Sequence, residues 1–363
     1  MKILLPYDIT TTGMKNPYLF LLARELVRNR NIESVQCGYG WLYEDIKADI
    51  IHLHWPELLV KSKLADMSRI DLLKDFHFDQ LTHALEEKKS QGAKIILTVH
   101  NEAPHKGKSD QFQKLYGTVF QLADGIIHMG KASKEITDQN YTAETAGKPF
   151  FIIPHGNYKI FDNSLSKEEC RAKLSLKPEE KLLLSFGAIR SAKELDFGIR
   201  AFKEASVENS LFMMAGQLPH PYKSQPVHFA TRKKLYANMF NKQIRTVEKV
   251  IEPAEVQIYL NAANLLFIQR FNTLNSGNVA LGYTFGKVVV GPDYGVIGEE
   301  LKKCGNPVFN PYKIETVTAA IKEGLLLAEN GLGEKNREYA EREMSWDSIA
   351  EKTVHAYQTL LSQ

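Results

Sequence analysis

Cysteine is scarce in this chain: there are three in 363 residues, Cys37, Cys170 and Cys304, odd in number and far apart. That usage fits neither a disulfide framework nor a cysteine zinc set, and a reducing compartment is the simplest setting. No apolar run reaches the roughly 18 residues of a membrane span, and the opening MKILLPYD holds too short an apolar stretch for a signal peptide. The expected location is cytoplasmic, with any membrane contact peripheral and at its inner face. One-signed charge is missing as well. With 46 basic and 43 acidic residues the formal net charge is +3, which argues against nucleic acid as a partner. Short internal repeats, low-complexity tracts, HExxH and paired-cysteine spacings are also lacking, so no metal site is expected.

What is present suits a soluble globular protein: 44% hydrophobic and 25% charged residues. The length exceeds one ordinary core, so two domains of roughly 150–200 residues are expected. Short apolar runs alternate with helical patterns. Strands are expected at 2–7, 33–38, 49–54, 93–99, 125–129 and 149–154, with helices at 16–30, 77–91, 109–123 and 131–141. Asn16 reads as the N-cap of the first helix, with Pro17 at its first position. A polar linker, PHGNYKIFDNSLS at 154–166, precedes a second series of strands at 181–187, 210–216, 244–251, 264–269, 287–292 and 306–310. This is the pattern of an α/β protein with two facing Rossmann-like domains, whose ligands would lie at the C-terminal strand ends.

Two strand ends in the first half carry histidines: IHLHWPE (51–57) and TVHNEAPH (98–105). His52 and His54 alternate and so share a face. A satisfied core position explains His52. His100, Asn101 and His105 fall beyond a strand end, where an open α/β sheet keeps its ligands. Trp55 and Glu57 add an aromatic surface and a carboxylate, a pairing suited to sugars. In the second half, FGAIRSAKE (186–194) places Arg190 and Lys193 ahead of an amphipathic helix. The pair would suit a diphosphate, or be routine charge on a solvated loop. Asn275, Ser276, Gly277 and Asn278 form a small polar helix entrance whose N–H groups could take a second set of phosphate oxygens, which favours a nucleotide diphosphate.

Six stretches in this order, IIHLHWPE, TVHNEAPH, IIPHGNY, FGAIRSAKE, ANLLFIQRFNTLNSGNVALGYTFGKVVVGPDYG and SWDSIAEKTVHAYQTLL, resemble a bacterial glycosyltransferase of the GT-B fold, in or near glycosyltransferase family 4. The resemblance spans nearly the whole chain. It implies an N-terminal acceptor domain (1–157), a nucleotide-sugar donor domain (158–345) and a C-terminal helix (346–363) packing back on the first domain. Implied too is metal-independent hexosyl transfer from GDP-mannose or a UDP-hexose to a saccharide or lipid-linked acceptor, in surface polysaccharide or glycoconjugate synthesis, with no cofactor beyond the nucleotide sugar.

Under that resemblance the donor site comprises Gly187, Arg190, Lys193, Asn275, Ser276, Gly277 and Asn278. Asn16, Tyr18, His54, Trp55 and Glu57 border the acceptor. His100, Glu102 and His105 are catalytic candidates, with Glu102, His105 or Glu57 as general base if the reaction inverts. The sequence departs from the family where two glutamates eight positions apart are usual, since Thr273 and Leu281 stand there. The basic, aromatic segment 222–245 reads as a membrane contact or as a solvated helix. A catalytically silent sugar-nucleotide-binding subunit and a sugar-nucleotide epimerase are the competing functional readings.

Overall fold

The computed structural model describes residues 1–9, 16–38, 40, 44, 46–60, 75–102, 110–217 and 242–363. It divides into two compact units, Met1–Gly156 with Ser345–Gln363, and Asn157–Met344. In the first unit the elements run β1 (Lys2–Leu5), α1 (Tyr18–Arg28), β2 (Ser34–Cys37), β3 (Ile50–Leu53), α2 (Pro56–Val60), α3 (Asp75–Ser90), β4 (Lys94–Val99), α4 (Asp110–Leu122), β5 (Gly125–His128), α5 (Lys131–Asn140), α6 (Thr142–Thr145) and β6 (Phe150–Ile152). The second contains α7 (Lys167–Lys173), β7 (Lys181–Phe186), α8 (Ala192–Ala205), β8 (Ser210–Ala215), β9 (Ile244–Val247), a 3-10 turn at Pro253–Glu255, α9 (Val256–Ala262) and β10 (Leu265–Phe267). It continues through α10 (Gly277–Thr284), β11 (Val288–Pro292), α11 (Gly295–Lys303), β12 (Val308–Phe309), α12 (Ile314–Glu329) and α13 (Leu332–Glu343), after which α14 (Trp346–Leu361) returns to the first unit.

Each unit holds a six-stranded sheet, in the orders β2-β1-β3-β4-β5-β6 and β12-β11-β10-β7-β8-β9. All described pairings are parallel. The reason is legible in the central strands: KIILTV, KLLLSF and SLFMMA are predominantly apolar and buried along nearly their whole length, as parallel strands covered on both faces must be. The chain order reverses between β1 and β3 in the first sheet and between β7 and β10 in the second. Such reversals leave a crevice at the C-terminal strand ends, the place where open α/β sheets bind ligands.

Two local details differ from the sequence expectation. The cap of α1 is Pro17, one residue late. Asn16 instead accepts the Tyr18 N–H on its side-chain oxygen at 3.4 Å, without capping the helix. Proline, with its fixed φ and no N–H to pair, is tolerated at a helix boundary. The strand expected at 244–251 ends at Val247. The C-terminal helix α14 is capped by Ser345 and buries Trp346, Ile349, Ala350, Thr353, Val354, Ala356, Tyr357 and Leu360, the spacing of one helical face. Gly156 lets it approach, because a Cβ there would sit 2.3 Å from the Trp346 ring. Among the described residues no helix is long and apolar enough to cross a membrane. The segment 222–245 falls outside the described residues as far as 241.

Candidate functional site

In the first unit, the reversal point is built from aromatic and imidazole rings. Tyr7, just beyond β1, accepts the backbone N–H groups of His54 and Trp55 on its hydroxyl at 2.8 and 3.1 Å. One phenol therefore ties the ends of β1 and β3 together. His52 is a core residue, as its strand position suggested: its Nδ1 lies 2.7 Å from the Tyr357 hydroxyl of α14 and its Nε2 2.7 Å from Thr98 Oγ1. His54 Nδ1 and His100 Nε2 are 2.9 Å apart, so one of these two neutral rings donates and the other accepts. The Trp55 indole stacks on His100 with ring centroids 4.1 Å apart. Edge contacts join Tyr18 to His100, His155 and Trp346, at 4.9, 5.1 and 5.2 Å.

Burial holds these imidazoles neutral. It drives His52 down to about 3 and His155 to about 4. His54 and His100 also lie well below the ordinary value, chiefly through burial, with further lowering from neighbouring imidazoles. His155, quoted in IIPHGNY but not singled out in the sequence, belongs to this cluster. Its Nδ1 is 2.6 Å from the Gly156 carbonyl, and a carbonyl only accepts, so Nδ1 carries the proton and the neutral ring keeps its lone pair on Nε2. A cluster of neutral rings cannot supply fixed positive charge, but it offers N–H groups, lone pairs and ring surfaces.

The expected acceptor and catalytic residues fall in different surroundings. Glu57 is not a free carboxylate beside Trp55. It opens the short helix α2, is buried, and accepts the Tyr116 hydroxyl at 2.7 Å. Burial raises both groups, with the Tyr116 contact partly offsetting it for the carboxylate. This makes Glu57 a buried hydrogen-bond partner of α4. Tyr18 and His54 are buried among the rings, whereas Asn16 is exposed. Asn101 is buried beside His100 and Glu102 is half-buried. His105 lies outside the described residues.

The second unit brings its predicted residues into one place. Gly187 follows β7 with φ +90°, and its N–H donates to the Ala215 carbonyl at 2.9 Å. A Cβ on neighbouring Gly216 would lie 2.1 Å from the Gly187 carbonyl oxygen, so these two strand ends approach at a distance that only glycine permits. Ser191 caps α8 by accepting the Glu194 N–H at 3.2 Å. Ser276 caps α10 by accepting the Asn278 N–H at 3.3 Å. The Asn278 amide then donates to the Phe186 carbonyl at 2.8 Å, which braces the second loop against the first across adjacent strands β7 and β10. Two helix N-termini thus open at the reversal point, a geometry that favours anions.

Arg190 is exposed in this place. Surrounding protein, and then the Arg270 charge, lower its pKa to about 10, which leaves it cationic at neutral pH. Lys193 is also exposed, but its ammonium rests 4.2 Å from the Phe271 ring centroid and 5.7 Å from that of Tyr312. In this arrangement it is held by aromatic faces. Leu281 is buried in the apolar core, Thr273 is half-buried, and neither supplies a carboxylate. Among the described residues no group of three or more His, Cys, Asp or Glu is placed to hold a metal ion.

No protein-family model and no curated protein matches the sequence. Solved structures do match. Sucrose-phosphate synthase from Thermosynechococcus elongatus superposes with a TM-score of 0.71 at 14% identity, over 100% of this chain and 99% of that one. HepE from Anabaena, in complex with UDP-glucose, gives 0.70 at 11% identity, over 99% and 100%. WaaG, a glycosyltransferase involved in lipopolysaccharide biosynthesis, gives 0.62 at 16% identity, over 98% and 99%. The chain has the GT-B fold.

Within the GT-B fold, the α/β architecture with two Rossmann-like sheets and the returning C-terminal helix agree with the sequence expectation. Sequence reasoning missed Arg270 and Glu194. Their carboxylate–guanidinium pair has side chains only 11% and 10% exposed, and its glutamate accepts the Arg190 backbone N–H. The readable signal was SAKE at 191–194, a serine followed three residues later by glutamate, which marks a helix start. Nothing in the local sequence links it to an arginine 76 residues away.

Proposed function

We propose that the protein is a glycosyltransferase that moves a hexose from a nucleoside diphosphate sugar to a saccharide or lipid-linked acceptor. The observation that carries this reading is the second-unit site: the capped N-termini of α8 and α10, with Arg190 just ahead of the first and Asn278 bracing the second on Phe186. Such a site can hold a diphosphate through both ground state and departure. As the glycosidic bond to phosphate breaks, negative charge grows on the leaving oxygen, and a guanidinium with oriented N–H dipoles stabilises that charge without reorganising. Metal is not required by this chemistry, so turnover in the presence of EDTA belongs to the same proposal. The first unit, with Trp55, His100 and Glu102, is assigned to the sugar and acceptor side. Its ring surfaces suit the apolar faces of sugars, and Glu102 is the described candidate for a base.

The fold neighbour HepE is in complex with UDP-glucose, which favours a UDP-hexose over GDP-mannose as donor. Involvement of WaaG in lipopolysaccharide synthesis favours a surface glycan as product. A silent nucleotide-binding subunit is the second reading, favoured by Thr273 and Leu281 in place of the usual carboxylates. A thermal-shift panel with UDP, GDP, ADP and CMP separates these. One diphosphate series should stabilise the protein, by about 2.7 kcal/mol at a hundredfold excess over its Kd, and Arg190→Ala should clearly weaken the effect. No stabilisation by any nucleotide would refute the reading. Binding with no sugar transfer or sugar-nucleotide cleavage would select the silent subunit.

A further inference from the structure

We propose that Arg270 is a positioning residue of the anion site: gripping Glu194 and the Ala188 carbonyl together, it fixes the turn that presents Arg190. The inference rests on the diphosphate reading of that site. Glu194 Oε2 accepts both the Arg190 backbone N–H, at 2.8 Å, and the Arg270 guanidinium. The other terminal nitrogen of Arg270 donates to the Ala188 carbonyl at 2.5 Å. One side chain therefore holds the turn at Ala188 directly and at Arg190 through Glu194. In an ordinary capping box the glutamate would return to the N–H of the capping residue. Here it reaches one residue further, to Arg190, and the arginine from the neighbouring strand end completes the contact.

The preceding residue reinforces the grip. Gln269 donates from Nε2 to the Glu194 carbonyl at 3.3 Å, and Gly198 makes room for its amide, since a Cβ there would lie 2.5 Å from Gln269 Oε1. Two consecutive residues after β10 thus hold the first turn of α8. The turn they hold begins at Gly187, whose positive φ leaves it with few intrinsic restraints. Among the described ion pairs, this one has the most shielded pair of partners. Desolvating such a pair offsets much of its attraction, so placement of a functional group is a better account of it than stability. Lysine could retain the charge, but a single ammonium cannot reproduce the planar two-pronged hold.

The test is a double-mutant cycle read by calorimetric titration with UDP, GDP and ADP, using whichever binds the native protein. Arg270→Lys is expected to weaken that binding about tenfold while the protein still unfolds cooperatively. In an Arg190→Ala background the same change should have no further effect, because a residue that acts through Arg190 loses its role with it. Native affinity in Arg270→Lys, or a loss that adds in full to that of Arg190→Ala, would overturn the proposal. If Arg270→Lys does not fold, Glu194→Gln takes its place in the cycle, with the same expectations. Native affinity in Arg190→Ala, or no binding of any of the three nucleotides, would defeat the site reading itself and the proposal with it.

Discussion

Replacing Tyr357 by phenylalanine removes one hydroxyl from a fully buried position and leaves the ring in place. That hydroxyl lies 2.7 Å from His52 Nδ1, and both residues are at most 1% exposed. The variant leaves a buried imidazole nitrogen without its partner, a loss of about 1–3 kcal/mol. For a unit of this size each 1 kcal/mol moves the thermal midpoint by roughly 2–4 °C, so a loss of about 2 kcal/mol lowers it by roughly 4–8 °C. Calorimetry is the appropriate assay, because two units can unfold in separate transitions. The shift should appear in the transition that also responds to Gly156→Ala, whose new Cβ would collide with Trp346. A midpoint within about 1 °C of native, well below the expected loss, would refute both the pairing of His52 and the docking of α14 by polar as well as apolar contacts.

Acid should destabilise the protein early. The unfolded chain takes up protons on histidine below about pH 6.5, while the native state keeps His52 neutral to about 3, His155 to about 4, and His54 and His100 well below the ordinary value. Stability is then complete above about pH 6.5 and falls as the pH drops toward about 4, by about 1.4 kcal/mol per pH unit for each such histidine. Urea unfolding at pH 7.5, 6 and 5 measures this, and a flat profile would contradict a neutral cluster. His100→Ala should leave nucleotide affinity near native while lowering sugar transfer by roughly 10²-fold or more. Lost nucleotide binding in a folded variant would instead move His100 to the donor side. Gly216→Ala forces a Cβ against the Gly187 carbonyl. It should cost about 1–3 kcal/mol and weaken nucleotide binding in calorimetric titration, whereas unchanged affinity would mean that the turn at Gly187 is not needed to present Arg190.

Strand positions were readable because parallel, doubly covered strands must be apolar along their length, and KIILTV and KLLLSF have few competing readings. The small polar helix entrance at 275–278 was readable for a similar local reason: Ser276 caps α10 through an N–H only two residues away. The Tyr116 partner of Glu57 was not legible, because the same local pattern, an acid beside Trp55, serves equally for a sugar or for a tyrosine arriving from α4. Only packing chose Tyr116. Lys193 was expected ahead of the helix but lies in the first turn of α8, and the direction of its amine depends on Phe271 and Tyr312, both distant in sequence.

The sequence by itself determined the α/β class, the two series of strands, the loops at the strand ends and the cations and histidines carried there. Hydrophobic periodicity, capping and turn preferences act over a few residues, and so are written locally. Tertiary structure alone decided which strand ends became neighbours, and with them the bond of Asn278 to Phe186, the pairing of His52 with Tyr357 and the shared oxygen of Glu194 between Arg190 and Arg270. Those contacts join residues as much as 305 positions apart. They exist only once the parallel sheets bring distant segments side by side, since a hydrogen bond or an ion pair depends on separation in space.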